Sequence, residues 1–213
     1  MDIEAIRRGA EAPVVAGPGD LDAVAADLAD AFTDDVMFNW FLRDDARRAE
    51  ANSRFFNLVI KLAAKDGARI DRPAGGGAAA VWMPYEAIKP MPLIDEIRAV
   101  PTMLYATGLA RITRLMALRA DMDKHHPTDR PHAYLYFLGV THAAQGHGIG
   151  SRLLKVATTR LDAAGQHAYL ETQTERNIAL YVRHGFKVTS EHKPRPDSPP
   201  LWSLWRDAQP PED

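Results

Sequence analysis

Residues 133–154 read AYLYFLGVTHAAQGHGIGSRLL. The apolar run from Ala133 to Val140 predicts a strand, and Gly146, Gly148 and Gly150 predict a tight loop. Ile149, Leu153, Val156, Ala157 and Leu161 then recur on one face of a helix that reaches Ala164, with Gly165 behind it as a stop. A strand that turns through glycines into a helix start presents main-chain N–H groups, and the aligned peptide dipoles add positive potential there. That arrangement suits a phosphate-bearing cofactor. Two rival loops fail on their own chemistry. A Walker loop needs lysine after its last glycine, whereas Gly150 is followed by Ser151-Arg152, and a dinucleotide fingerprint needs glycine or alanine where Ser151 stands. What fits is Gln145-x-x-Gly148-x-Gly150 behind a strand that ends in Gly139-Val140.

Downstream, HAYLE (167–171) predicts a buried strand, Asn177–His184 a short helix stopped by Gly185, and FKVTSEH (186–192) and LWSLWR (201–206) two more strands. Upstream, PVVA (13–16) reads as a short strand. Asp20 reads as the cap of a helix carrying Leu21, Val24, Ala25, Leu28, Ala31 and Phe32 on one face. After the aromatic run VMFNWFL (36–42), a helix from Asp45 to Asp66 turns Phe55, Phe56, Val59, Ile60 and Ala63 inward, and Gly67 ends it. Residues 68–71 and 78–83 form a hairpin around Gly75-Gly76-Gly77. Pro84, Pro90, Pro92 and Pro101 interrupt the next stretch, and one further helix is expected over Met103–Met122. The sum is an α/β protein, a mixed sheet with helices packed on it.

Composition narrows the function. A length of 213 residues, 46% hydrophobic and 25% charged, suits one domain over 1–213 with room for disorder at its extremes. A net charge of −2 argues against a nucleic-acid partner, and the absence of cysteine excludes disulfides, a thiol nucleophile and thiolate metal sites. No apolar leader opens the chain and no run reaches about 18 apolar residues, so a cytoplasmic protein with no membrane partner is expected. His125, His126, His132, His142 and His147 lack metal-ligand spacing, so no metal is expected either.

LADAF (28–32), AAAVWMP (78–84), YFLGVTHAAQGHGIGSRLL (136–154) and AYLETQTERNIALYVRHGFKV (168–188) together resemble the GCN5-related N-acetyltransferase (GNAT) superfamily, and within it the puromycin N-acetyltransferase-like branch. One departure stands out: Thr141-His142 follow Gly139-Val140 where many relatives carry serine or proline, which touches loop geometry. The resemblance implies the GNAT fold, a twisted mixed sheet with one splayed strand pair. It implies acetyl-CoA as acyl-donor cosubstrate and a small-molecule or peptide amine as acceptor, in a monomer or homodimer. Gln145, Gly146, His147, Gly148, Ile149, Gly150 and Ser151 would then cradle the pyrophosphate. Leu138, Gly139 and Val140 would line the pantetheine arm at a bulge, where Gly139 makes physical sense and a main-chain N–H can polarise the thioester carbonyl. Asn177 would contact the same arm. Tyr181, one helical turn from Asn177, would protonate the departing thiolate, and Glu171 would act as general base, with His132 as competitor. Asp34 and Asp35 would attract an ammonium, and Arg152 and Lys155 would meet cofactor phosphates or cover the helix. The alternatives are a non-catalytic acyl-CoA-binding sensor or scaffold and an acyltransferase using another acyl-CoA.

Overall fold

The structure, a computed structural model, describes residues 2–88 and 92–210. Pro90 and the outermost residues at both ends, on which the expectations of a chain break and of disorder fall, lie outside the described residues. The chain runs α1 (Ile3–Glu11), β1 (Val14–Val15), α2 (Leu21–Ala31), α3 (Val36–Phe41), α4 (Arg48–Lys65), β2 (Arg69–Arg72), β3 (Ala78–Met83) and α5 (Leu93–His125). It continues with β4 (Ala133–Val140), α6 (Ile149–Ala163), β5 (Ala168–Thr172), α7 (Glu175–Arg183), β6 (Lys187–His192) and β7 (Leu201–Arg206).

The seven strands make one sheet in the order β1-β2-β3-β4-β5-β7-β6. Every pairing is antiparallel except β4 with β5, which α6 joins as a crossover. Strand alternation sorts the core. Ala78, Ala80, Leu135, Leu170 and Leu204 pack with α1, α6 and α7, while Ala79, Val81, Ile70 and Phe137 pack with α2, α3 and α4. A third group, Tyr134, Tyr169 and Trp205, meets the end of α5 around Met122.

Three local readings need correction. Asp20 does not cap α2: one carboxylate oxygen accepts from Gly17 N at 2.9 Å and the other from Arg72 at 2.5 Å, so it ties the preceding turn to β2. Helix α1 escaped the sequence reading because only Ile6 and Ala10 of its nine residues are buried; Asp2 caps it, accepting from Ala5 N at 3.1 Å. Helix α5 begins at Leu93, well before the expected start, and runs through Pro101, whose lost bond to Ile97 lies on an exposed face. Its break comes instead at Gly108, with φ 65° and ψ 167°.

Strand β4 positions everything that follows. It stays paired with β3 as far as Val140 but with β5 only through Ala133–Leu135, opposite Ala168–Leu170. Leu135 faces Trp82 and Phe137 faces Val81, so Tyr136 is the extra residue of a bulge. The bulge therefore lies upstream of Gly139, which pairs regularly with Ala79. Glycine is required at 139 for another reason: a Cβ there would stand 2.6 Å from Leu28 Cδ2 and 3.0 Å from Ala31 Cβ, so helix α2 rests directly on the strand. Past the bulge β4 and β5 diverge, and the main chain of residues 136–140 borders an open wedge.

Candidate functional site

At the top of the wedge the loop is built from inside the protein. Thr141 N donates to Gly77 O at 2.9 Å. His142 fastens the loop to the end of α2: its N–H donates to Asp30 Oδ2 at 2.7 Å, Nδ1 meets Asp30 O at 2.8 Å, and Nε2 lies 3.0 Å from Asp34 Oδ2. Gln145 Nε2 donates to Val140 O at 3.1 Å, His147 Nδ1 donates to Gln145 O at 2.8 Å, and Ser151 Oγ meets His184 Nε2 at 2.8 Å. These side chains hold the loop. Gly146 and Gly148 sit at φ 80° and 72°. Gly148 heads α6 with no side chain capping the terminus, and the first helical bond runs from Arg152 N to Gly148 O. The N–H groups of Ile149, Gly150 and Ser151 thus precede the hydrogen-bonded ladder at the positive end of the helix. A Cβ on Gly150 would meet Val140 and Leu138 at 3.6 and 3.8 Å, ordinary contact, so no atom of the protein demands glycine there. Arg152 folds across the same loop: Nε donates to Glu11 at 2.8 Å, and Nη1 donates to Gly148 O and His147 O at 3.2 and 3.4 Å.

On one flank of the wedge, α7 places Asn177 and Tyr181 one turn apart. Tyr181 is buried with its ring 6.0 Å from that of Phe186. Burial, reinforced by the nearby charge of Asp35, pushes its phenol well above the usual range. Asp35 does more than the sequence indicated. Its Oδ1 accepts from Met37 N and Phe38 N at 2.9 and 3.0 Å, capping α3, while Oδ2 accepts from Gln173 just beyond β5. Burial raises its carboxyl despite these donors. Asp34 stays exposed.

Glu171 is the first β5 residue beyond the last β4 pair, opposite Ser203 of β7. Its side chain is 3% exposed, and neither carboxylate oxygen has a hydrogen-bond partner among the described residues. Burial pushes its pKa up to about 7; the hydroxyls of Tyr134 and Tyr169 pull the other way without reversing it, and Asp121 and Asp123 add to the rise. His126 Nδ1 stands 3.9 Å from Oε1. Burial lowers His126 to about 4, so the two form no ion pair at neutral pH. His132, the competing base of the sequence reading, is fully buried with both nitrogens engaged, Nδ1 with Arg130 O and Nε2 with His126 Nε2, each at 3.0 Å. A carbonyl only accepts, so His132 Nδ1 carries the hydrogen, His126 Nε2 carries the next, and the His126 lone pair faces Glu171.

Asp121, His125 and His192 bring metal-capable atoms within 4.8 Å of one another. The two imidazoles stack at 3.8 Å and 18°, and Nδ1 of each lies against Asp121, 2.5 Å from Oδ2 for His192 and 3.4 Å from Oδ1 for His125. Among the described residues no helix is long and apolar enough to cross a membrane.

The pattern of the Acetyltransferase (GNAT) family matches residues 107–186, from the kink of α5 to Phe186. Among solved structures, a histone acetyltransferase HPA2 and related acetyltransferase from Corynebacterium glutamicum aligns with 94% of this chain and 99% of its own at a TM-score of 0.68 and 24% identity. The Drosophila melanogaster polyamine N-acetyltransferase aligns with 92% and 99% at a TM-score of 0.56 and 15% identity. This chain has the GNAT fold. Its parallel β4–β5 pair is flanked by helices, as that fold requires, and it lies largely within the residues 107–186 that match the family pattern. Two mycothiol acetyltransferases share shorter stretches: that of Jonesia denitrificans is 44% identical over 61 residues, 27% of this chain and 19% of its own length, and that of Paenarthrobacter aurescens 38% over 69 residues, 30% and 21%. The chain thus aligns with only about a fifth of either curated relative. The matched segment holds the loop, Glu171, Asn177 and Tyr181 but not Asp35, whose side-chain bond to Gln173 spans 138 positions of sequence.

Proposed function

We propose that the chain is an acetyl-CoA-dependent N-acetyltransferase, a single domain over 1–213 of the puromycin N-acetyltransferase-like branch. In this reading it acetylates a primary amine by direct attack in a ternary complex, as a cytoplasmic monomer or homodimer. The observation that carries the proposal is the wedge between β4 and β5 opening beneath an uncapped, glycine-led helix start. Gly150 adds to it, since the space left by its absent side chain is required by no protein atom and suits a phosphate approaching the main chain.

Acetyl-CoA supplies the thioester. The N–H groups of Gly146 through Ser151 hold its pyrophosphate, and the free edge of Leu138, Gly139 and Val140, with Asn177, takes the extended arm. A β4 N–H at the wedge stabilises charge growing on the acyl oxygen. Glu171 removes a proton from the nitrogen, its raised pKa keeping it both ionisable and basic near neutrality. Tyr181 keeps its own proton and directs it at the departing sulfur. The buried acid groups Asp35, tied to Gln173 just beyond β5, and Glu171 favour a cationic amine.

The test is calorimetry with acetyl-CoA, followed by turnover with puromycin, agmatine and an alanine-terminated peptide. Binding at 100 times Kd stabilises a protein by about 2.7 kcal/mol. Gly148→Val, which places a branched side chain at φ 72°, should abolish that stabilisation while the protein still folds. No acetyl-CoA binding by the wild type refutes the proposal. Binding without turnover of any amine supports the sensor reading.

A further inference from the structure

We propose that His184 and Ser151 form a strap between the end of α7 and the start of α6, which makes His184 a positioning residue for Tyr181. The inference rests on the reading of Tyr181 as hydrogen-bond donor to the departing sulfur and of the α6 start as the seat of the cofactor phosphates.

Helix α7 has little of its own to hold it. Of its nine residues only Tyr181 is buried, with Ile178 and Leu180 packed on the core from partly exposed positions. A surface helix is fixed by the apolar stripe it buries, so one with so narrow a stripe takes its place from its ends. Thr174 gives the start no side-chain cap, and the Gln173 side chain just ahead of it is bound to Asp35. The other end is fastened twice at one residue. His184 Nε2 meets Ser151 Oγ at 2.8 Å, and His184 O accepts from Arg206 Nε, also at 2.8 Å. Arg206 is itself buried, with both terminal nitrogens on the Asp162 carboxylate at 2.6 Å. Gly185, at φ 86°, lets the chain turn close against it, since a Cβ there would stand 3.1 Å from Arg206 Nε.

The strap reaches Tyr181 through the main chain. Tyr181 O accepts from His184 N at 2.9 Å and from Phe186 N at 3.2 Å, so the helix cap and the tyrosine share one hydrogen-bonded turn. At its other end Ser151 lies in the first turn of α6, and its own N–H is among those ahead of the helical ladder. Ser151 thus turns its N–H towards the phosphate seat and its hydroxyl towards the helix that carries the donor for sulfur. The spacing between those two points is what the strap sets. A hydroxyl both donates and accepts, so the contact holds with either tautomer of the ring. Burial, then the charges of Arg183, Arg206 and Lys155, hold His184 below the ordinary imidazole range, so at neutral pH the strap is a hydrogen bond between uncharged groups.

The experiment sets His184→Ala, His184→Gln and Ser151→Ala beside the wild type, each alone and combined with Tyr181→Phe, using whichever of puromycin, agmatine or the alanine-terminated peptide is turned over fastest. It reads kcat, melting temperature and amide hydrogen exchange over residues 175–183. Ser151→Ala removes one hydroxyl and keeps the N–H, so it stays informative where His184→Ala melts early. Both should lower kcat by about 10- to 100-fold, the scale of a misplacement of about 1 Å, and both should speed exchange in α7. A glutamine amide reaches as far as Nε2 and should restore both quantities. In the Tyr181→Phe background no hydroxyl is left to misplace, so the same changes should cause no further loss of kcat, a non-additivity that general destabilisation would not give. If Tyr181→Phe keeps wild-type kcat, or no amine is turned over at all, the donor reading fails and the strap's part in catalysis fails with it. If Tyr181→Phe loses activity while His184→Ala and Ser151→Ala keep wild-type kcat or wild-type exchange in α7, the strap is refuted and the donor reading stands. Equal losses in the two backgrounds also overturn it.

Discussion

Replacing Glu171 by glutamine should make the protein more stable and less active, and the stability gain should grow with pH. The carboxyl is almost wholly enclosed, with no hydrogen-bond partner, and its pKa is pushed from an ordinary 4.5 to about 7. Between those values the folded chain keeps a proton that the unfolded chain has released. Folding stability therefore falls as pH rises from 4.5 to 7, is fully reduced above 7, and is unaffected below 4.5, where both states are protonated. The shift corresponds to about 3 kcal/mol at pH 8. Glutamine fills the same volume and does not titrate. Its amide brings some constant offset, so the quantity to measure is the difference in Tm between variant and wild type at pH 5 and again at pH 8. About 2.5 kcal/mol of this is lost between pH 5 and pH 8, and for a chain of this length each kcal/mol moves Tm by about 2–4 °C, so that difference should widen by roughly 5–10 °C across the interval. Other titrating groups are common to both proteins and cancel. In the same preparations kcat should fall by about 10²–10⁴-fold, and the acidic limb near pH 7 should vanish. Parallel Tm curves from pH 5 to 8 would show that Glu171 is not held in a desolvated site, and the argument for its basicity would go with them.

Tyr181→Phe should cost about 10²–10³-fold in kcat while acetyl-CoA affinity measured by calorimetry stays at the wild-type value, since only a hydroxyl hydrogen bond to the leaving group is lost. Wild-type turnover in single-turnover kinetics would remove Tyr181 from the chemistry. Gly139→Ala puts a methyl 2.6 Å from Leu28 Cδ2, and overpacking of this kind costs about 1–3 kcal/mol. A melting temperature equal to that of the wild type would show that α2 is not seated on β4 as described.

The motif of residues 133–154 was legible because its signals are local: strand alternation, glycines where φ turns positive, and a helical period behind them. The same holds for β5, α7 and β7, whose residues 168–172, 175–183 and 201–206 fall close to the ranges read from sequence. What stayed hidden depends on distant pairings. Tyr136 as the bulge follows from register against β3, which no single strand reveals. Asp35 carries a readable local sign, an acidic cap ahead of an aromatic turn, but its grip on Gln173 does not show in sequence. His142 stands out as a departure from relatives, and the structure supplies its work: holding Asp30 and Asp34 against the loop. The long α5 defeated the proline rule because Pro101 sits on the exposed face.

Proton energetics assign different timing to the two groups at the wedge. A free thiol has a pKa of about 8.5, and Tyr181 is held above the ordinary phenol value of about 10, so complete transfer of its proton to a thiolate runs uphill by more than about 1.5 units. Tyr181 therefore serves as a hydrogen-bond donor to the leaving sulfur, and Asp35 beside it strengthens its hold on the proton. Glu171 faces the reverse mismatch. An alkylammonium near 10.4 exceeds its pKa of about 7 by about 3 units, roughly 4–5 kcal/mol, too much for it to strip a bound ammonium in a step of its own. The nitrogen becomes far more acidic once it has begun to bond to carbon, so proton removal by Glu171 accompanies or follows attack by amine that has already lost its ammonium proton. Two limbs then belong in the pH profile: one near 7 that stays fixed when the acceptor changes, and one that moves with the pKa of the amine. Only the first can disappear with Glu171→Gln, which separates the enzyme's base from the substrate's own ionisation.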